Sequence, residues 1–463
     1  MWITIAQFIL SLSILIVLHE LGHFTAAKWF KTRVEKFYLF FNPYFSLFKV
    51  QYGETEYGLG WLPLGGYVKI SGMIDESFDT DQMSGPPQPY EFRSKPAWQR
   101  LIIMVGGVTV NFILGIVLFA IIAYTWGESY LPNDQMKEGI AVTAQGYELG
   151  LREGDKLLMI GQDTVRKFST GLLNKNIIVN SASDLTVLRN GRQEVIKIDP
   201  KWTTFLSKYE NRDVRLAQLK MPGEVAEIVD NSPAEPGAAG LRAKDIIIAV
   251  NGDEVNYQFE FVNRIMALPT DSLPITDLTV KRGIDTLTVS YNTLFDKKKS
   301  LAQKLLGKDA DKRRRLGFDM YGPDHYYKFA TQKYALGPSI GKGWNDAWGF
   351  LVDQVNAFGQ MLTGKIKAKD SLGSFITIGK LFGSDWDWHR FWNMTASLSI
   401  LLGFFNLLPI PALDGGYVMF LLYETITGRK VSDSVMEKST MIGFFILIGF
   451  MIYALFLDIM RQL

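Results

Sequence analysis

The hydropathy of this chain is concentrated in four places, and no other feature limits its fold as strongly. Residues 1–18 carry no charge, and the apolar run resumes over 24–27. Residues 101–126, 391–413 and 441–457 are three further uncharged runs. A helix crossing a bilayer needs about 20 mostly apolar residues, so four spans would take roughly 80–90. The remainder, above all 127–390, is charged and turn-rich. The mean hydropathy of +0.07 suits an ordinary soluble enzyme only because it averages over these two populations.

The first run could be a secretory signal peptide, but that needs a positive n-region, and Met1-Trp2-Ile3-Thr4 has none. A retained helix accounts for the basic cluster Lys28, Lys31, Arg33 and Lys36 behind it. Arg93, Lys95 and Arg100 precede the second run, and Arg429, Lys430 and Lys438 separate the third from the fourth. Positive flanks stay in the cytoplasm. All three clusters therefore predict one topology, with both termini and the 127–390 segment outside. With 49 basic and 47 acidic side chains the formal charge is +2, which excludes a nucleic-acid partner held by gross basicity. An aromatic content of 13% excludes a disordered chain. The count of 0 cysteines excludes disulfides, iron–sulfur clusters and thiolate-bound zinc.

The outside segment contains a repeat. Gly150-Leu151-Arg152-Glu153-Gly154-Asp155 recurs as Gly240-Leu241-Arg242-Ala243-Lys244-Asp245, and Asp163 and Val165 recur as Asp253 and Val255. Asp184-Leu185-Thr186-Val187 then returns as Asp277-Leu278-Thr279-Val280. Separated matches in one order identify duplicated modules. The pattern resembles PDZ domains of the bacterial protease type, which implies two β-rich modules at 128–215 and 216–325. PDZ domains bind extended peptide at a sheet edge; two β domains that merely pack together are the alternative. The basic stretch 296–315 reads as a solvated loop, with lipid-headgroup contact a lesser reading. A last strand is expected at Leu316-Gly317-Phe318-Asp319-Met320. Trp344, Trp348, Leu351, Val355, Phe358 and Leu362 form one apolar stripe on a helix. It would lie at the membrane interface or pack against the β modules, within a helical linker over 326–390.

The chemistry is carried by His19-Glu20-Leu21-Gly22-His23, which takes two of the 4 histidines. On a helix, positions i and i+4 share a face, so both imidazoles can hold one metal ion with Glu20 beside them as general base. The motif sits roughly 26 Å along the first helix, near the cytoplasmic side, where unpaired ionisable groups are costly. A catalytic zinc takes three protein ligands. The third candidate is Asp414, at the end of the apolar segment Asn406-Leu407-Leu408-Pro409-Ile410-Pro411-Ala412-Leu413-Asp414. The two prolines break the helix and let the carboxylate turn inward; a plain helix cap is the alternative.

These two motifs together resemble the site-2 protease family of intramembrane zinc metalloproteases. The tandem PDZ-like modules narrow the resemblance to the regulator of sigma-E protease type. It implies a membrane α-helical core of about four transmembrane helices, at 1–127 and 391–463, with a membrane-associated β-loop and two PDZ domains outside. It implies one Zn²⁺ per chain on His19, His23 and Asp414, with Glu20 as base. Pro63 to Lys69 looks like the family's membrane-dipping β-loop. Its edge, with Gly66, Tyr67 and Val68, is the candidate for holding an unwound substrate, and Asn111 and Asn406 are candidate hydrogen-bond donors to substrate backbone or oxyanion, with plain packing the alternative for each. Where relatives often show Gly-Pro, this chain has Gly107-Val108, and where they show Gly-Pro-Ile it has Leu372-Gly373-Ser374-Phe375.

The expected function is zinc-dependent cleavage of transmembrane segments in single-span proteins of a bacterial inner membrane, such as anti-sigma factors or remnant signal peptides. The PDZ pair would filter substrates from the periplasmic side. Two other readings compete. A metal transporter explains the ligands but leaves Glu20 idle, and a catalytically dead scaffold leaves the whole set idle.

Overall fold

The computed structural model describes residues 2–63, 65–73, 85–228, 240–268, 275–292, 318–371 and 373–460. The chain forms two units, one of Met1–Glu128, Ser207–Tyr209 and Gln332–Leu463, the other of Ser129–Leu206 and Glu210–Thr331.

The first unit is helical. Its long helices are α1 (Trp2–Trp29), α2 (Ala97–Thr125), α3 (Leu336–Leu362), α4 (Trp388–Leu407), α5 (Asp414–Thr427) and α6 (Asp433–Met460). Among the described residues, α1, α2 and Ser434–Met460 of α6 are long and apolar enough to cross a membrane. The apolar run 391–413 differs from the expected single span. Pro409 and Pro411 fix φ and remove backbone donors, so α4 stops at Leu407 and a turn leads into α5. At 20 residues α4 could still span about 30 Å, but it carries polar groups for its neighbours. Thr395 and Ser399 are fully buried. The Ser11 and Thr395 hydroxyls lie 2.9 Å apart, and Ser399 Oγ donates to the Asn111 carbonyl at 2.7 Å. Such contacts hold helices together where lipid removes the hydrophobic driving force.

The same principle shapes the packing of α3. Its packing face is Ser339, Gly343 and Ala347, all buried, whereas Trp344, Trp348, Val355 and Leu362 are exposed. A Cβ on Gly343 would meet Ile116 O at 2.6 Å and Ala120 Cα at 2.8 Å. The small residues thus let α3 approach α2, while Trp344, Trp348, Val355 and Leu362 face outward and Leu351 packs partly against the α2–α4 core.

Between α1 and α2 lies a four-stranded sheet of β1 (Val34–Leu39), β2 (Phe48–Tyr52), β3 (Thr55–Leu59) and β4 (Tyr67–Ile70), in the order β2-β3-β1-β4. All five residues of β2 are exposed, and Tyr44, Phe45 and Leu47 beside it are exposed as well. An uncovered apolar edge of this kind suits a membrane surface. The opposite edge is β4, antiparallel to β1 with Phe37 opposite Val68. Val34 and Ile70 pack with Ala27 of α1, Ile103 and Met104 of α2 and Leu421 of α5, which anchors the sheet to the helices.

The second unit has two hydrophobic cores. One gathers residues from Leu131 to Ala217, the other from Val225 to Phe318. The same plan serves both. The pair Lys156–Ile160 and Asp184–Arg189 corresponds to Ile246–Val250 and Ile275–Arg282. In each a last short strand returns to the first: Ala217–Gln218 pairs with Ala141–Val142, and Phe318–Met320 with Gly223–Ile228. The expected residues Leu316 and Gly317 and all of the basic stretch 296–315 lie outside the described residues.

The repeated sequence has a repeated physical task. Asp155 is fully buried and receives Arg189 in a fork, Nε to Oδ1 at 2.8 Å and Nη2 to Oδ2 at 2.7 Å, with the Arg152 amide at 2.8 Å. Asp245 receives Arg282 at 2.7 and 2.7 Å and the Arg242 amide at 2.9 Å. These hydrogen bonds raise both guanidinium pKa values above the ordinary arginine range. Each arginine also reaches a glycine carbonyl, Gly150 or Gly240, at a residue with φ of +109° or +75° that a side chain would strain. Truncating Asp155 to alanine leaves Arg189 without its fork. Because that guanidinium keeps some solvent, we expect a loss near the low end for a broken buried pair, about 3 kcal/mol, read from unfolding of the purified chain.

Candidate metal centre

His19, Glu20 and His23 occupy adjoining turns of α1, and both histidines are buried. Their room comes from glycine. A Cβ on Gly22 would meet Gly107 Cα of α2 at 2.8 Å, and one on Gly106 would meet Gly22 O at 2.6 Å. A Cβ on Gly107 would overlap His23 Nε2 and stand 2.7 Å from His19 Cε1. The two helices therefore cross at a glycine contact, and the imidazoles fill the space beside it. Gly107→Ala is expected to displace them, lowering the affinity of the site for a metal ion at least ~10-fold, as loss of ligand orientation does. Metal analysis of the purified variant checks this.

The third candidate ligand arrives through the break after α4. Ile410 N donates to Leu408 O at 2.7 Å and Leu413 N to Ile410 O at 3.0 Å. Ala412 takes φ of +81°, a strained conformation for a residue with a Cβ. Gly416 packs on the turn, since a Cβ there would lie 2.6 Å from Pro411 Cα. Asp414 is the first residue of α5, where the helix dipole favours negative charge. It is not the cap: the N-cap is Leu413, with no side-chain cap bond.

His19 Nε2, His23 Nε2 and Asp414 Oδ2 stand at the corners of a triangle with all three edges 3.3 Å. A tetrahedral zinc with bonds of about 2.0–2.1 Å keeps its ligand atoms about 3.3 Å apart. Asp414 Oδ2 is buried and accepts no conventional hydrogen bond among the described residues. Two imidazole nitrogens and one carboxylate oxygen, converging at 3.3 Å from one another, fit a cation. The far side of His23 agrees, for Nδ1 lies 2.9 Å from the Ile103 carbonyl. That acceptor keeps the proton on Nδ1 and leaves Nε2 bare.

The other expected site residues gather here too. The Glu20 carboxylate accepts a hydrogen bond from the Val68 backbone amide at the free edge of β4. Gly66 lets that strand close on α1, since a Cβ would lie 2.6 Å from Ile16 Cγ2 and 3.6 Å from Glu20 Cγ. Asn406 Nδ2 is 3.3 Å from His19 Nε2, beside the triangle and half-buried. Asn111 is fully buried, with its amide 3.0 Å from His19 Nδ1. Tyr67 serves the sheet with its side chain, stacking on Tyr38 at 5.2 Å and donating to Asn42 Oδ1 at 3.0 Å. Sequence reasoning missed Gly22, Gly106 and Gly107 as makers of the site. The signal was present, because a Gly-Gly pair inside an apolar span marks close helix approach.

The model of peptidase family M50 matches residues 7–450. The regulator of sigma-E protease RseP of Escherichia coli is 28% identical over 467 residues, covering 99% of this chain and 98% of that protein. The regulator of sigma E protease of Salmonella typhi is 29% identical over 478 residues, with 99% and 98% covered. The protease RseP of Yersinia pestis is 27% identical over 474 residues, again with 99% and 98% covered.

Proposed function

This chain belongs to peptidase family M50 and is a zinc metalloprotease, and from that premise we propose that it cleaves peptide bonds within the membrane-spanning segments of single-span proteins. The observation that carries the reading is the 3.3 Å triangle of His19, His23 and Asp414, set beside Glu20 in an apolar helix. His19 Nε2, His23 Nε2 and Asp414 Oδ2 would hold the zinc. Zinc supplies a Lewis acid there, which polarises a carbonyl and makes water acidic enough to lose its proton near neutral pH.

The rest falls to the chain's own groups. Glu20 takes the proton from the attacking water and passes it to the leaving nitrogen. Asn406 Nδ2 donates to the carbonyl oxygen as negative charge grows on it. A substrate helix must unwind before its carbonyls can react, and bare backbone groups in lipid cost several kcal/mol each. The free edge of β4 supplies replacement partners as the substrate adds as a strand. Val68 lies in that edge and bonds Glu20, so strand addition delivers the substrate backbone beside the base.

Substrates would be anti-sigma factors or remnant signal peptides of a bacterial inner membrane. The basic flanks of the spans support a site near the cytoplasmic face and the β modules in the periplasm. There the modules, read as PDZ domains, would admit only proteins whose outer domain has been trimmed. Incubating the purified chain in bilayers with single-span candidates, with and without a zinc chelator, tests the reading. We expect cleavage inside the span that chelation stops and zinc restores. Zinc uptake into vesicles without proteolysis would replace this reading with transport.

A further inference from the structure

Asn111 lies on α2 behind His19, on the side away from the triangle. We propose that it is a positioning residue for the zinc site: its amide oxygen accepts the Nδ1 proton of His19 and so holds the ring in the tautomer that presents Nε2 to the metal. The inference rests on His19 being a zinc ligand.

The proton count leads to it. His19 Nε2 lies 3.3 Å from both His23 Nε2 and Asp414 Oδ2, so as a ligand it must offer a lone pair there. A neutral imidazole carries one N–H, which must then sit on Nδ1. A protonated Nδ1 needs an acceptor, and its polar neighbour is the Asn111 amide at 3.0 Å. The near atom is assigned as Nδ2, which only donates. The two ends of an amide have nearly the same shape, and the hydrogen-bond network decides between them. In the assigned orientation two donors would meet, while the buried Oδ1 has no hydrogen-bond partner among the described residues. Turning the amide by half a revolution brings Oδ1 onto the Nδ1 proton.

The surroundings fit that task. Asn111 is fully buried, so its amide is withdrawn from water. Ser399 Oγ donates to its backbone carbonyl at 2.7 Å and ties this part of α2 to α4. His23 is served in the same way from the same helix, its Nδ1 lying 2.9 Å from the Ile103 carbonyl. Thus α2 provides an acceptor behind each histidine, one from its main chain and one from a side chain.

The test is zinc affinity of the purified full-length chain, measured by competition with a chelator, in the wild type, Asn111→Leu and Asn111→Asp. A wild type that binds no zinc would refute the metal reading itself. Given wild-type binding, Asn111→Leu removes the acceptor at similar volume and should weaken zinc by ~10–100-fold. Asn111→Asp keeps only acceptors and should stay within a few-fold of wild type. Unchanged affinity in Asn111→Leu would reduce Asn111 to packing. A loss in Asn111→Asp as deep as in the leucine variant would make the residue a donor and overturn the proposal.

Discussion

Replacing Glu20 by glutamine is expected to leave the chain with its zinc and to lower peptide hydrolysis by ~10²–10⁴, the usual contribution of a positioned general base. The metal triangle does not include Glu20: its corners are His19 Nε2, His23 Nε2 and Asp414 Oδ2. A glutamine fills the same volume, and its Oε1 can still accept from the Val68 amide that now bonds the carboxylate. What it loses is the ability to take a proton. Metal content and turnover, measured on one preparation, separate the two roles. Hydrolysis close to the wild-type rate would end the assignment of Glu20 as base, and a parallel loss of zinc would make it a ligand.

Replacing Asp414 by alanine should remove zinc and activity together. A catalytic zinc rests on three protein ligands, and this change leaves two imidazoles facing an apolar gap. The fall in affinity should exceed the ~10–100-fold typical of an outer-sphere partner, and hydrolysis should drop to background. A helix-capping role predicts something else, a loss of about 0.5–2 kcal/mol of stability with zinc retained. Since Leu413 holds the cap position and Asp414 Oδ2 has no hydrogen-bond partner among the described residues, we expect the first pattern.

Much of the metal site was legible because it is local. Two histidines four residues apart share a helix face whatever surrounds them, and Glu20 follows from the same periodicity. Asp414 was legible as a carboxylate ending an apolar run behind two prolines. The repeat was equally plain, though its purpose was hidden. Asp155 and Arg189 are 34 residues apart, and only the folded module shows the buried fork that both copies preserve.

The stripe on α3 left two readings open, the membrane interface or the β modules, and the structure shows which residues of the helix are buried. In water an apolar stripe turns inward, but against lipid it can face outward, and close packing then falls to small residues. Ser339, Gly343 and Ala347 form that face, while Trp344 and Trp348 are exposed. In the run 391–413 the helix break at Pro409 and Pro411 was legible, and the structure places the end of α4 at Leu407.

By itself the sequence determined which residues are the candidates for the chemistry, that they suit a metal, and that they sit among apolar runs. These follow from side-chain type, helical period and the cost of charge in lipid, none of which needs a partner far along the chain. Tertiary structure alone decided that His19 and Asp414, 395 positions apart, meet at 3.3 Å. It also decided that glycines at the crossing of α1 and α2 make space for the rings, that the edge of β4 reaches Glu20, and that Asn111 stands behind His19. Those outcomes depend on how closely separate backbones approach, and closeness is set by every packed neighbour at once.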